Sequence, residues 1–181
     1  MVDLIDRVAF ITGAGRGIGR AIALAFARAG CHVAAVARTE TEIAETAALV
    51  REQGRQAVAI RADVAVAEDV NRAVAEATEQ LGPIDILVNN AGYLVIKPIV
   101  ETTLEEFDRT LAVNLRGLFL CVQAVLPGMI ARRRGTIINL GSTSSKRWYR
   151  GQDPYCAAKH GVLGFTKVLA EECDALISAH E

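Results

Sequence analysis

The run Thr12-Gly13-Ala14-Gly15-Arg16-Gly17-Ile18-Gly19 constrains this chain more than any other stretch. It follows a short apolar run, Val8 to Ile11, and opens a series of helix formers from Ala21 to Ala29. A strand that turns through glycines into a helix start presents unpaired backbone N–H groups and a positive dipole end to an anion. Glycine is needed where the backbone bends tightly, or where a pyrophosphate approaches with no Cβ in the way. The stretch therefore reads as the phosphate cradle of a dinucleotide-binding unit. A glycine-rich turn without a ligand is the plainer alternative.

The rest of the chain alternates in a way that suits such a unit. Short β-branched runs at Val8–Ile11, Val33–Val36, Ala57–Ile60, Ile84–Val88 and Thr136–Leu140 are separated by stretches of helical period. Those stretches are 17–29, 41–53, 67–81, 103–132 and 154–172. Strand–helix alternation predicts an α/β fold: a Rossmann-like, doubly wound parallel sheet with helices on both faces and ligands at the strands' carboxyl ends. With 181 residues and no linker or repeat, residues 1–181 are expected to form one domain.

Composition excludes several classes. Hydrophobic residues at 51% and charged residues at 23% rule out a disordered polyelectrolyte. A net charge of −1 gives no electrostatic ground for nucleic-acid or anionic-membrane binding. No apolar run approaches the roughly 20 residues of a membrane span, and Met1 to Asp6 carries acids where a signal peptide needs a basic start. A cytoplasmic protein is expected. Cys31, Cys121, Cys156 and Cys173 lack C-x-x-C spacing, so no metal site is expected and they read as buried or semi-buried thiols.

Further residues have readings of their own. After the second strand come Ala37 and Arg38, where an NAD site commonly carries an acid. Arg38 and Arg16 could instead donate charge-assisted hydrogen bonds to a 2′-phosphate; solvated surface arginines are the alternative. Asp63, before Val64, suits a turn or a helix start. Asn114 interrupts a run apolar on nearly every side, and such a helix is buried on more than one face. Tyr155 and Lys159 form an i,i+4 pair on one helix face, and an ammonium near a phenol favours the phenolate. Trp148 and Tyr149, among Lys146, Arg147 and Arg150, either wall a substrate pocket or form an exposed loop.

Taken in order, the glycine run, Asn89-Asn90-Ala91-Gly92, Ser142 and Tyr155-x-x-x-Lys159 resemble the short-chain dehydrogenase/reductase family, in its compact one-domain branch. Ser142 precedes Tyr155 by thirteen residues, the family's usual interval. The resemblance implies hydride transfer between NADP(H), preferred over NAD(H), and a ketone, 3-oxoacyl or secondary-alcohol substrate. It implies catalytic roles for Asn114, Ser142, Tyr155 and Lys159. Cofactor contacts are implied for Thr12, Gly13, Gly15, Arg16, Gly17, Ile18, Gly19, Arg38, Asp63, Val64, Asn90, Ala91, Gly92, Tyr155 and Lys159, with Asn89 steadying the sheet. Homodimers or homotetramers through 103–132 and 154–172 follow from the same likeness.

The resemblance runs from Arg7 to Glu172 and then ends. The sheet is expected to lack the family's usual last strands, exposing an edge at Thr136–Leu140, with Cys173–Glu181 a short departure. Two rival readings remain: a truncated, non-catalytic nucleotide-binding or interaction protein, and a sugar-nucleotide epimerase or dehydratase, which the glycine spacing disfavours.

Overall fold

A computed structural model describes residues 4–178; the residues before and after, including Ala179 to Glu181 of the expected departure, lie outside that range. Five strands form one parallel sheet: β1 (Val8–Thr12), β2 (His32–Ala37), β3 (Ala57–Arg61), β4 (Ile86–Asn89) and β5 (Thr136–Asn139), in the order β3-β2-β1-β4-β5. Between them run α1 (Gly17–Arg28), α2 (Glu40–Glu52), α3 (Ala67–Leu81), α4 (Leu104–Leu111) and α5 (Gly117–Ala131), and α6 (Asp153–Ser178) follows β5. The chain builds outward from β1 through β2 and β3, then returns to lay β4 on its other side. That reversal opens a crevice beyond the carboxyl ends of β1 and β4, where open α/β sheets take their ligands.

The strand sequence explains the two layers. Side chains alternate across a sheet with a period of two. Val8 and Phe10 face one core, with Val36, Ile60, Leu118 and Val122; Ala9 and Ile11 face the other, with Ala23, Ile43 and Val50. Every residue of β1 and β4 is buried, as strands covered on both faces must be. β5 alternates exposed and half-buried residues and forms one edge of the sheet among the described residues.

Two expectations are corrected. The stretch 103–132 is not one regular α-helix: Ala112–Arg116 between α4 and α5 is π-helical, with Val113 and Asn114 buried inside it. The stretch 154–172 continues as helix through Ser178, so the described part of the expected departure is helical. The 28-residue rod Leu104–Ala131 also meets the length and hydropathy of a membrane span. It packs as a core helix instead, burying Leu118, Val122, Val125 and Met129 in the cluster that faces β4 and α3.

Candidate active site

The glycine turn is built for close approach. Gly13 (φ 65°) and Gly17 (φ 56°) adopt left-handed backbone that disfavours other residues. A Cβ on Gly19 would lie 2.1 Å from the Gly13 carbonyl oxygen, and one on Gly13 would lie 2.8 Å from Asn90 Nδ2. A Cβ on Gly15 would sit 2.8 Å from Glu42 Cβ, whereas one on Gly17 would meet no protein atom within 4 Å. Arg16, at the N-cap of α1, gives no side-chain cap, and the first turn holds no acid. Its N–H groups thus keep their capacity for an anion. This cradle fits a dinucleotide's phosphates.

Thr12 and Asn90 hold the cradle against β4. Thr12 Oγ1 donates to the Val88 carbonyl (3.3 Å) and accepts from the N–H groups of Asn90 (3.0 Å) and Ala91 (3.1 Å). Asn90 Nδ2 donates to the carbonyls of Thr12 (2.9 Å) and Gly13 (3.1 Å). Asn89 cross-links the sheet, its Nδ2 donating to Asn139 Oδ1 at 2.9 Å.

A cleft of about 360 Å³ opens in front of this turn. Gly13, Gly15, Arg16 and Gly17 line it on one side, Arg38, Asp63 and Val64 on another, and Asn90, Ala91 and Gly92 on a third. Ile18 stands apart from it, 67% exposed. Two cleft residues had no signal in the sequence. Arg109, from α4, donates to Asp63 Oδ2 at 2.8 Å, and Glu42, from α2, pairs with Arg16 at 3.7 Å. Asp63 also accepts from the Ala65 N–H at 3.0 Å, the local turn bond that its residue type suggests. Both ion pairs join residues far apart in the chain, which is why no local pattern announces them.

The remaining groups gather at the carboxyl ends of β4 and β5. Ser142 Oγ accepts from the Ser144 N–H at 3.1 Å, and Ser145 Oγ accepts from the Ser142 N–H at 3.0 Å. A hydroxyl that accepts one N–H bond still has its own proton to donate. The short turn it caps packs on α6. Lys159 is buried, with Nζ 5.7 Å from the centre of the Tyr155 ring and donating to the Leu140 carbonyl at 2.7 Å. Burial lowers the Lys159 pKa from its ordinary value. Asn114 is a satisfied buried amide: Nδ2 donates to the carbonyls of Tyr93 (2.6 Å) and Thr110 (2.9 Å), and Oδ1 accepts from the Tyr93 N–H (3.3 Å). It nonetheless shares a small cavity of about 10 Å³ with Lys159, Thr12 and Leu140.

The cysteines behave as thiols in a packed fold. Cys31 and Cys121 are buried, and burial pushes Cys121 up to about 12. Cys156 and Cys173 are free and half-buried. Trp148 is 86% exposed and Tyr149 42% exposed, so both stand at the surface of the loop before α6.

A strand–glycine turn–helix and an Asn-Asn-Ala-Gly strand end beside one cleft, with a tyrosine–lysine pair on the helix after β5, suit the scaffold of a dinucleotide-dependent oxidoreductase. A match to the short chain dehydrogenase family covers residues 7–177, and the chain belongs to that family. It is 39% identical over 173 residues to a 3-oxoacyl-(acyl-carrier-protein) reductase of Synechocystis, covering 95% of this chain and 70% of that protein. A Staphylococcus aureus 3-oxoacyl-(acyl-carrier-protein) reductase is 40% identical over 169 residues, covering 93% and 69%. Among solved structures, a Sinorhizobium meliloti protein provisionally assigned as a short-chain alcohol dehydrogenase superimposes with TM-score 0.93 at 44% identity. That match spans 96% of this chain and 69% of the other.

Proposed function

We propose that this chain is an NADP(H)-dependent carbonyl reductase acting on 3-oxoacyl or related ketone substrates, and reversibly on the secondary alcohol. The observation that carries the reading is Lys159: an ammonium buried 5.7 Å from the Tyr155 ring, lining a small cavity that shares Val64, Ala91 and Val113 with the glycine-lined cleft. The coenzyme, when bound, supplies or accepts the hydride, and the protein orients it and manages the proton. Gly13 to Gly19 and the start of α1 would hold the pyrophosphate, and Asn90, Ala91 and Gly92 would flank the ribose. Ser142 would donate to the carbonyl oxygen as negative charge grows there. Tyr155 would give that oxygen its proton on reduction and take it back on oxidation.

Lys159 would stabilise the phenolate left after proton transfer. The cavity it shares with Asn114, at about 10 Å³, is near the smallest that holds one water, which suits a proton route from Lys159 outward. Arg38 at the cleft rim and the lack of an acid at Ala37 favour the 2′-phosphorylated coenzyme. The relatives named as 3-oxoacyl-(acyl-carrier-protein) reductases support the substrate class. A cytoplasmic setting accords with those relatives.

We further infer a homo-oligomer. A groove of about 1000 Å³ runs between the π-helical stretch and α6, lined by Leu111, Leu115, Phe119 and Phe165, an apolar face that a second copy would cover.

The test is consumption of NADPH, followed at the nicotinamide absorbance band, with a panel of 3-oxoacyl thioesters and simple ketones. Turnover with at least one 3-oxoacyl thioester, and a clear preference for NADPH over NADH, is the expected result. Tight NADPH binding without turnover of any carbonyl would favour the non-catalytic reading instead.

A further inference from the structure

We propose that Arg61, beside Arg38, holds the adenosine 2′-phosphate of the coenzyme and is a principal determinant of NADP(H) over NAD(H). The inference rests on the NADP(H) reading above and adds a residue that the sequence did not suggest. β2 and β3 run parallel with Ala37 in register with Arg61. Adjacent strands lie about 4.8 Å apart, so Arg61 and Arg38 leave neighbouring strand ends. Both line one depression of about 590 Å³, which adjoins the glycine-lined cleft through Arg38, Ala62 and Asp63.

The charges in that depression single out these two guanidinium groups. Arg72 is engaged by Asp69 at 2.9 Å and also donates to the Arg61 carbonyl at 2.9 Å. Asp69 spends its second oxygen on the Asp63 N–H at 2.9 Å, and Asp63 is matched by Arg109 at 2.8 Å. Once these pairs are set aside, Arg38 and Arg61 face Glu40 as the remaining carboxylate, which leaves the depression cationic. Arg61 acts on Asp69 through space and makes no ion pair with it among the described residues. Arg16 is differently placed. Its guanidinium lies 3.7 Å from Glu42, so a phosphate that approached it would also approach a carboxylate. The gain there is offset, whereas two adjacent forks can share a dianionic phosphate.

The test is calorimetric titration of the whole chain with adenosine 2′,5′-bisphosphate and with 5′-AMP, which differ only in the 2′-phosphate. Wild type is expected to bind the bisphosphate more tightly. Arg61→Gln should weaken bisphosphate binding by about tenfold, the loss of one charge-assisted contact, and leave 5′-AMP within twofold. Arg61→Lys should recover part of the loss, and Arg16→Gln should lose less than Arg61→Gln. A thermal melt of each variant separates lost contact from lost fold. If wild type prefers the bisphosphate and Arg61→Gln keeps that preference undiminished, the assignment of Arg61 is overturned while the NADP(H) reading stands. If wild type binds both nucleotides equally, the NADP(H) reading itself fails and takes this assignment with it.

Discussion

Burying an ammonium against a single carbonyl costs free energy, and Lys159 is buried that way beside Tyr155. Its lowered pKa has a measurable consequence. In the unfolded chain the lysine keeps its proton up to its ordinary value of about 10.4, and in the folded chain it loses it at lower pH. Between those two values the unfolded state binds more protons, so stability rises with pH across that window. Wild type should therefore gain stability relative to Lys159→Met as pH is raised toward the ordinary lysine value, read from denaturant midpoints at several pH values. A constant difference would contradict the burial. At the reacting hydroxyl, Tyr155→Phe should lower kcat by about 10²-fold or more while NADPH binding stays within about threefold, as expected for a lost general acid. The spacing of Ser142, Tyr155 and Lys159 was legible because it is local and set by one turn and one helix. The partners Arg109 for Asp63 and Glu42 for Arg16 were not, because each is delivered by a different helix.

Among the elements, the strands stand within one or two residues of where the alternation puts them, since β-branched runs bounded by polar turns leave little choice. The interruption at Ala112–Arg116 left no such mark. Its residues are as apolar as their neighbours, and only Asn114 hinted at something other than a uniform helix. Conversely Pro127, a residue expected to break a helix, sits inside α5 without ending it. Asn114 ties the π-helical stretch to the segment after β4 through Tyr93. Asn114→Ala should cost about 1–3 kcal/mol of stability by leaving buried backbone groups without partners, measured by urea denaturation. Glycines offer a contrast within one experiment. Gly164, in α6, has no atom within 4 Å of where a Cβ would go, so Gly164→Ala should stabilise by about 0.5–1 kcal/mol. Gly19→Ala, with a Cβ 2.1 Å from the Gly13 oxygen, should abolish coenzyme binding.

For the whole molecule, the order β3-β2-β1-β4-β5 places the crevice where the chain reverses beside β1. Most of the candidate cofactor groups line that crevice, Ile18 and Gly19 do not, and Thr12, Asn114 and Lys159 line a small cavity that shares Val64, Ala91 and Val113 with it. The alternation of strands and helices predicts parallel pairing and the motif resemblance implies an edge at Thr136–Leu140, but the full strand order was not legible, because periodicity carries no neighbour information. Overall charge hid the opposed clusters around Arg38 and Asp63, which only the folded chain brings together. The apolar groove along α6 belongs to the proposed assembly. Phe119, 44% exposed and edge-on to Phe165 at 6.3 Å, should be central to it. Phe119→Glu should shift the protein toward monomer in sedimentation velocity, and an unchanged oligomer would place the interface elsewhere.

The most direct measurement follows the hydride itself. NADPH deuterated at both C4 positions is incubated with a 3-oxoacyl thioester, and the product is read by mass spectrometry. Wild type should deliver one deuterium to the carbinol carbon, and Tyr155→Phe should deliver almost none. Unlabelled product, or label transfer undiminished in Tyr155→Phe, would contradict a reaction centred on Ser142, Tyr155 and Lys159.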